Sequence, residues 1–99
     1  MSAKTTFQKS LHLLDRQDME RGEELLRKAL SEAESENDQY TIGQVLCCLG
    51  ELLHQLGRNE ESEIFLNRFL GLQREDDVLD EEQRRVKELL AAIKADRGL

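Results

Sequence analysis

Ninety-nine residues with 21 acids against 14 bases, a formal charge of −7, leave room for one compact domain and no second independent core. The absence of proline and tryptophan and the 4% aromatic content, set among abundant Leu, Glu, Arg and Ala, favour an all-α chain, because unbranched side chains lose little rotamer freedom in a helix. The acidic balance opposes phosphate backbones and no basic run offsets it, so nucleic acid is not an expected partner. No stretch approaches the roughly 20 apolar residues of a bilayer span. The N-terminal MSAKTTFQKSLHLL lacks the apolar core and small-residue cleavage site of a secretion signal, so no membrane partner and a cytoplasmic protein are expected.

Phe7, Leu11 and Leu14 recur at helical spacing and predict a first helix over about 3–16, broken by Asp15-Arg16-Gln17-Asp18. Asp18 is placed to cap a second helix, with Glu20 and Glu23 in its first turns. Its apolar positions Leu25-Leu26, Ala29-Leu30 and Ala33 fade into the polar Ser35-Glu36-Asn37-Asp38. Ile42, Val45, Leu46, Leu49, Leu52, Leu53 and Leu56 make a broad stripe on a third helix, which Gly57 ends by tolerating left-handed backbone. Asn59 is placed to cap a fourth helix carrying Phe65-Leu66 and Phe69-Leu70, ended by Glu75-Asp76-Asp77. Asp80 is placed to cap a fifth, with Gln83 in capping-box position and Val86, Leu89-Leu90 and Ile93 on one face. Loops of about two to six residues favour antiparallel neighbours.

Residues 13–30, LLDRQDMERGEELLRKAL, lie against residues 52–70, LLHQLGRNEESEIFLNRFL, leucine pair on leucine pair and Gly22 on Ser62, with one residue gapped. Two helix pairs repeated at about 40 residues, 3–35 and 39–74, followed by a last helix over 80–96 within a single domain, are therefore expected.

The second unit, with Leu46-x-x-Leu49-Gly50-x-x-Leu53 followed by Gly57, Ser62, Leu66 and Phe69-Leu70, resembles a tetratricopeptide repeat. The likeness covers 43–76 well and 3–34 fairly. It departs at Phe69, where the family keeps alanine, at Leu11, where it prefers a small residue, and in having no proline after either pair. The unit length resembles the longer-helix variants. The resemblance implies a short right-handed superhelix of helix hairpins, a capping fifth helix, and protein or peptide binding on the concave face of each pair's first helix, with no chemistry and no cofactor. So few units bury little surface, and a homodimer or a bound partner is expected to complete the array. The lysine, arginine and asparagine with which some family members clamp a C-terminal carboxylate are not matched by Gln44, Cys47, Cys48 and Glu51.

Adjacent Cys47 and Cys48 diverge by about 100° on a helix and form no disulfide framework. By helical phase Cys48 sits at the apolar margin, whereas Cys47 joins Gln44, Glu51, His54 and Gln55 on the polar stripe. A Cys47–His54 dyad fails on distance, because seven residues rise about 10.5 Å against the roughly 3 Å that base and nucleophile require. Zinc requires about four converging ligands, and Glu51, His54 and the more distant His12 do not supply them, so no metal site is expected.

Through the leucine pairs, Gln8, His12, Asp15 and Arg16 align with Cys47, Glu51, His54 and Gln55, which predicts two polar stripes side by side in one groove. Glu32, Glu34, Glu36 and Asp38, and then Glu75, Asp76 and Asp77, form acidic clusters. These suit helix N-termini and solubility, and they also suit a basic partner. The leading expectation is a non-catalytic adaptor. A small acidic inhibitor of the immunity or antitoxin kind, neutralising a basic protein, is the alternative, and an enzyme using Cys47 with a base from another helix is a third.

Overall fold

The computed structural model describes residues 2–72 and 78–97. Five helices account for its order: α1 (Ala3–Asp15), α2 (Met19–Glu36), α3 (Gln39–Gln55), α4 (Asn59–Leu70) and α5 (Asp80–Arg97). There is no strand among the described residues. The chain is all-α, as its composition predicts.

Three helix starts carry a side-chain cap that satisfies an otherwise orphaned amide. Ser2 Oγ accepts from the Thr5 N–H at 3.3 Å, Asp18 Oδ1 from Arg21 at 3.3 Å, and Asp38 Oδ1 from Thr41 at 3.2 Å. Two expected caps differ. Arg58, not Asn59, precedes α4 and makes no capping bond; Asn59 Oδ1 turns back to His54 Nδ1 at 2.9 Å. Asp80 lies inside the first turn of α5, and the Gln83 N–H bonds to the Leu79 carbonyl at 2.8 Å. Leu79 is buried against α3, and this contact fixes the entry of α5 one residue earlier than the capping box predicts.

The first three helices end in one device. At the end of α1 the N–H of Gln17 bonds to Leu14 O (3.0 Å) and that of Asp18 to Leu13 O (2.9 Å), with Gln17 at φ +67°. Asn37 and Asp38 bond in the same way to Glu34 O and Ala33 O, and Gly57 and Arg58 to His54 O and Leu53 O, with φ +55° and +78°. These are Schellman closures, whose left-handed residue suits Gly or Asn. The residue after each closure is the cap residue of the next helix. Sequence patterning marks this turn at Gly57, whereas Gln17 gives no comparable signal.

The closures correct the internal register. Leu13 corresponds to Leu53 and Leu14 to His54, 40 residues apart with no gap. Carried back along the helices, Thr6 falls on Leu46, Phe7 on Cys47 and Ser10 on Gly50, and all six are buried. Ser10, small and buried, is thus the residue that stands 40 positions before Gly50. Carried forward, the same spacing places Val86 on Leu46 and Ile93 on Leu53, all four fully buried.

Helix α3 packs against each of the other four, and α2 and α4 each lie between their sequence neighbours. The core runs from Ala3 and Phe7 through Leu26, Leu46, Leu49 and Leu53 to Leu66, Val86 and Ile93. Two glycines let helices approach within a pair. A Cβ on Gly22 would collide with the Leu14 side chain, and one on Gly50 with that of Leu66. At the second crossing the buried Ser62 hydroxyl donates to the Gly50 carbonyl at 2.6 Å. That bond satisfies a polar group whose burial would otherwise cost about 1–3 kcal/mol.

Candidate functional site

The C-terminal end of α1, the C-terminal half of α3 and the exposed side of α5 wall a depression among the described residues. It holds about 730 Å³ and is open to solvent. Its floor is Leu14, Met19, Cys48, Leu52, Leu89 and Ala92; Asp15, Gln17, Glu51, His54, Gln55, Arg85 and Glu88 supply its polar rim.

Four of the predicted groove residues, Asp15, Glu51, His54 and Gln55, meet there. The others separate. Gln8 is exposed on α1 outside this depression. His12 and Arg16 face a smaller hollow of about 270 Å³ between α1 and α2, with Lys9, Leu13, Arg21 and Leu25. The alignment that brought them beside α3's stripe was one residue out, and one residue on a helix is a rotation of about 100°. Gln44 is half-buried and donates to the Tyr40 hydroxyl at 3.3 Å.

Cys47 is the main correction among the site residues. It is fully buried and Cys48 is the half-exposed thiol, the reverse of the expected arrangement. Helix α5 crosses the side of α3 on which a solvated stripe was expected. Arg85 Nη2 lies 3.5 Å from Cys47 Sγ, and that sulfur is 3.7 Å from Glu51 Oε1. Burial, followed by the neighbouring Glu51 charge, pushes the Cys47 thiol up to about 12. The same two causes push Cys48 up to about 11. A nucleophilic cysteine requires the opposite shift, since the thiolate is the reactive form.

Electrostatically the rim is divided. Arg85 holds Glu51 through two nitrogens, Nε on Oε2 and Nη2 on Oε1, each at 3.2 Å. This fork fixes both side chains where a single-point contact would leave them mobile. His54 is engaged by Asn59. Asp15 and Glu88 have no hydrogen-bond or ion-pair partner among the described residues. The resemblance makes α5 a cover for the last apolar face and so gives it no place on the rim. A signal was present, since Arg85, Glu88, Leu89 and Ala92 follow Val45, Cys48, Leu49 and Leu52 by 40 residues.

No family model, curated protein or solved structure matches the chain.

Three acids of the first cluster, Glu34, Glu36 and Asp38, have partners within the chain. Glu34 pairs with Arg68 at 3.3 Å, and the Glu36 carboxylate accepts from the Ala3 N–H at 3.3 Å, tying the start of α1 to the end of α2. Asp38 caps α3, and its bond from the Thr41 hydroxyl (2.7 Å) holds its carboxyl below the ordinary range. Glu32 is half-buried. Glu75, Asp76 and Asp77 lie outside the described residues. No grouping of three or more His, Cys, Asp or Glu suited to a metal occurs among the described residues, and no described helix is long and apolar enough to cross a membrane.

Proposed function

We propose that this protein is a non-catalytic interaction module of tetratricopeptide-like design, which binds a protein or peptide segment in the depression between α1, α3 and α5. The observation that supports this reading is the 40-residue recurrence of turns, small-residue crossings and buried positions, together with the depression that α1, α3 and α5 line in common. An apolar floor with a few oriented polar groups on its rim is the usual composition of a recognition surface.

The acidic-inhibitor alternative loses part of its motivation, because Glu34, Glu36 and Asp38 are engaged within the chain. Affinity capture with the tagged protein tests the reading. Ala92→Arg places a long charged side chain on the exposed floor position, whereas Lys28→Ala alters an exposed residue of α2 outside the depression. The module reading requires a captured protein that Ala92→Arg loses and Lys28→Ala retains. Capture that is indifferent to both substitutions would place binding elsewhere.

A further inference from the structure

We infer that the α1–α3–α5 depression selects a cationic, apolar segment: a short stretch of a partner protein that carries a leucine or phenylalanine flanked by lysine or arginine. This inference rests on the reading of that depression as the binding site and specifies its partner. Of the charged rim residues, Asp15, Glu51 and Glu88 are acids and Arg85 is a base. Arg85 is already bound to Glu51 by both arms of its fork, so the attraction it offers an incoming carboxylate is largely cancelled.

Asp15 on α1 and Glu88 on α5 stand on opposite walls, solvated and without partners among the described residues. Between them lies an apolar floor to which Met19 and Cys48 contribute polarizable, adaptable surface. An apolar side chain on that floor brings flanking cations to both walls. A flanking carboxylate meets repulsion from both. A second copy of this chain is a poor occupant, since both copies carry −7.

The test uses the full chain and three labelled peptides with the same Leu-Leu-Phe core, flanked on both sides by lysine, glutamine or glutamate. Binding is read by fluorescence anisotropy at about 50 mM and about 300 mM salt, where the screening lengths differ more than twofold. The expected order of affinity is lysine, glutamine, glutamate, with the spacing compressed at high salt. Asp15→Asn with Glu88→Gln weakens the lysine peptide by about three- to tenfold, as expected for two exposed charge contacts. Arg85→Gln frees Glu51 and tightens the same peptide, an effect of opposite sign that general loss of structure does not produce. Asp15 and Glu88 are exposed, so their double variant keeps the fold and remains informative if Arg85→Gln does not.

Binding that Ala92→Arg abolishes but that shows no charge order, or favours glutamate, overturns the charge assignment and leaves the depression as the site. Binding of none of the three peptides, or binding indifferent to Ala92→Arg, overturns the assignment together with the reading beneath it. A concentration-dependent dimer that Ala92→Arg dissolves gives the surface to a second copy and also overturns the proposal.

Discussion

The outer face of α2 and α4 and the depression between α1, α3 and α5 are both rich in charge, and they use it differently. On the outer face one cluster, Glu23, Arg27, Arg58 and Glu61, pairs across the helix pairs. Arg58 reaches Glu23 at 2.7 Å and Glu61 at 2.6 Å, Arg27 reaches Glu23 at 3.0 Å and Glu61 at 3.4 Å, and Arg27 also lies over the Phe65 ring, 5.2 Å from its centroid. Around the depression, Arg85 and Glu51 pair, while Asp15 and Glu88 have no partner among the described residues. A face whose charges are mutually satisfied holds neighbouring elements together, and one that leaves acids in water beside an apolar floor is suited to an outside cation. Substitutions on the first face should therefore change stability, and substitutions on the second should change binding.

The largest effect is expected beneath both faces. Leu66 is fully buried where α4 crosses Gly50 of α3. Leu66→Ala should lower unfolding free energy in urea by about 2–5 kcal/mol, a large share of the roughly 5–15 kcal/mol typical of a small domain. Gly50→Ala should also destabilise, because overpacking at about 1–3 kcal/mol outweighs the helix-propensity gain of about 1 kcal/mol. In the Leu66→Ala background the added methyl enters vacated space, so the same Gly50→Ala change should become neutral or favourable. Additive losses in the double variant would show that the crossing does not depend on this contact.

An intermediate effect separates an acid with a structural role from one without. Asp38 caps α3, and Asp38→Ala should cost about 1 kcal/mol. Asp15→Asn, in the depression, should stay within about 0.5 kcal/mol of wild type. Equal losses at the two positions in thermal melts would remove the distinction between the faces.

Much of this was legible from the chain, for reasons that particular residues make plain. Asp18 and Asp38 announce helix starts because a carboxylate two or three residues ahead of unpaired amides has few better uses. The periodicity of α3 reports its central place because so many of its positions are apolar. Less legible was anything that depended on one residue of phase. Gln17 adopts left-handed backbone without a glycine to mark it, and aligning the leucine pairs by appearance shifted helix one by a residue. Cys47 and Cys48 then exchanged places, because which side of α3 is covered depends on where α5 crosses it. The ion pairs Glu23–Arg58, Arg27–Glu61, Glu34–Arg68 and Glu51–Arg85 join residues 34 or 35 apart, and local patterning does not register that distance.

A smaller effect follows from pH. Bonding from Arg58, reinforced by Arg27 and opposed by partial burial, lowers the Glu23 carboxyl below its ordinary 4.5, and the Thr41 hydroxyl lowers Asp38 below its ordinary 3.8. Both groups bind protons less readily folded than unfolded. Their stabilisation is complete above the ordinary carboxylate values and is lost as pH falls through those values towards the lowered ones. The melting temperature should therefore be nearly level above about pH 5 and decline below it. Glu23→Gln should lower the level region and make the decline shallower. A decline of unchanged steepness would remove Glu23 from the acid response.

The smallest effect concerns reactivity at the boundary between core and depression. Burial raises the Cys47 thiol to about 12 and the Cys48 thiol to about 11, so at pH 7 both hold far less thiolate than the few per cent of an ordinary cysteine. Iodoacetamide should therefore modify the folded protein far more slowly than the protein in urea. Mass spectrometry should find a first adduct at half-exposed Cys48, which lines the depression. Cys47 lies beneath Arg85 and α5, so its modification requires that helix to leave α3 and should follow the small population of that open form, at a rate proportional to reagent concentration. Preferential modification of Cys47 under native conditions would mean that α5 does not cover this part of α3, and the wall that carries Arg85 and Glu88 would go with it.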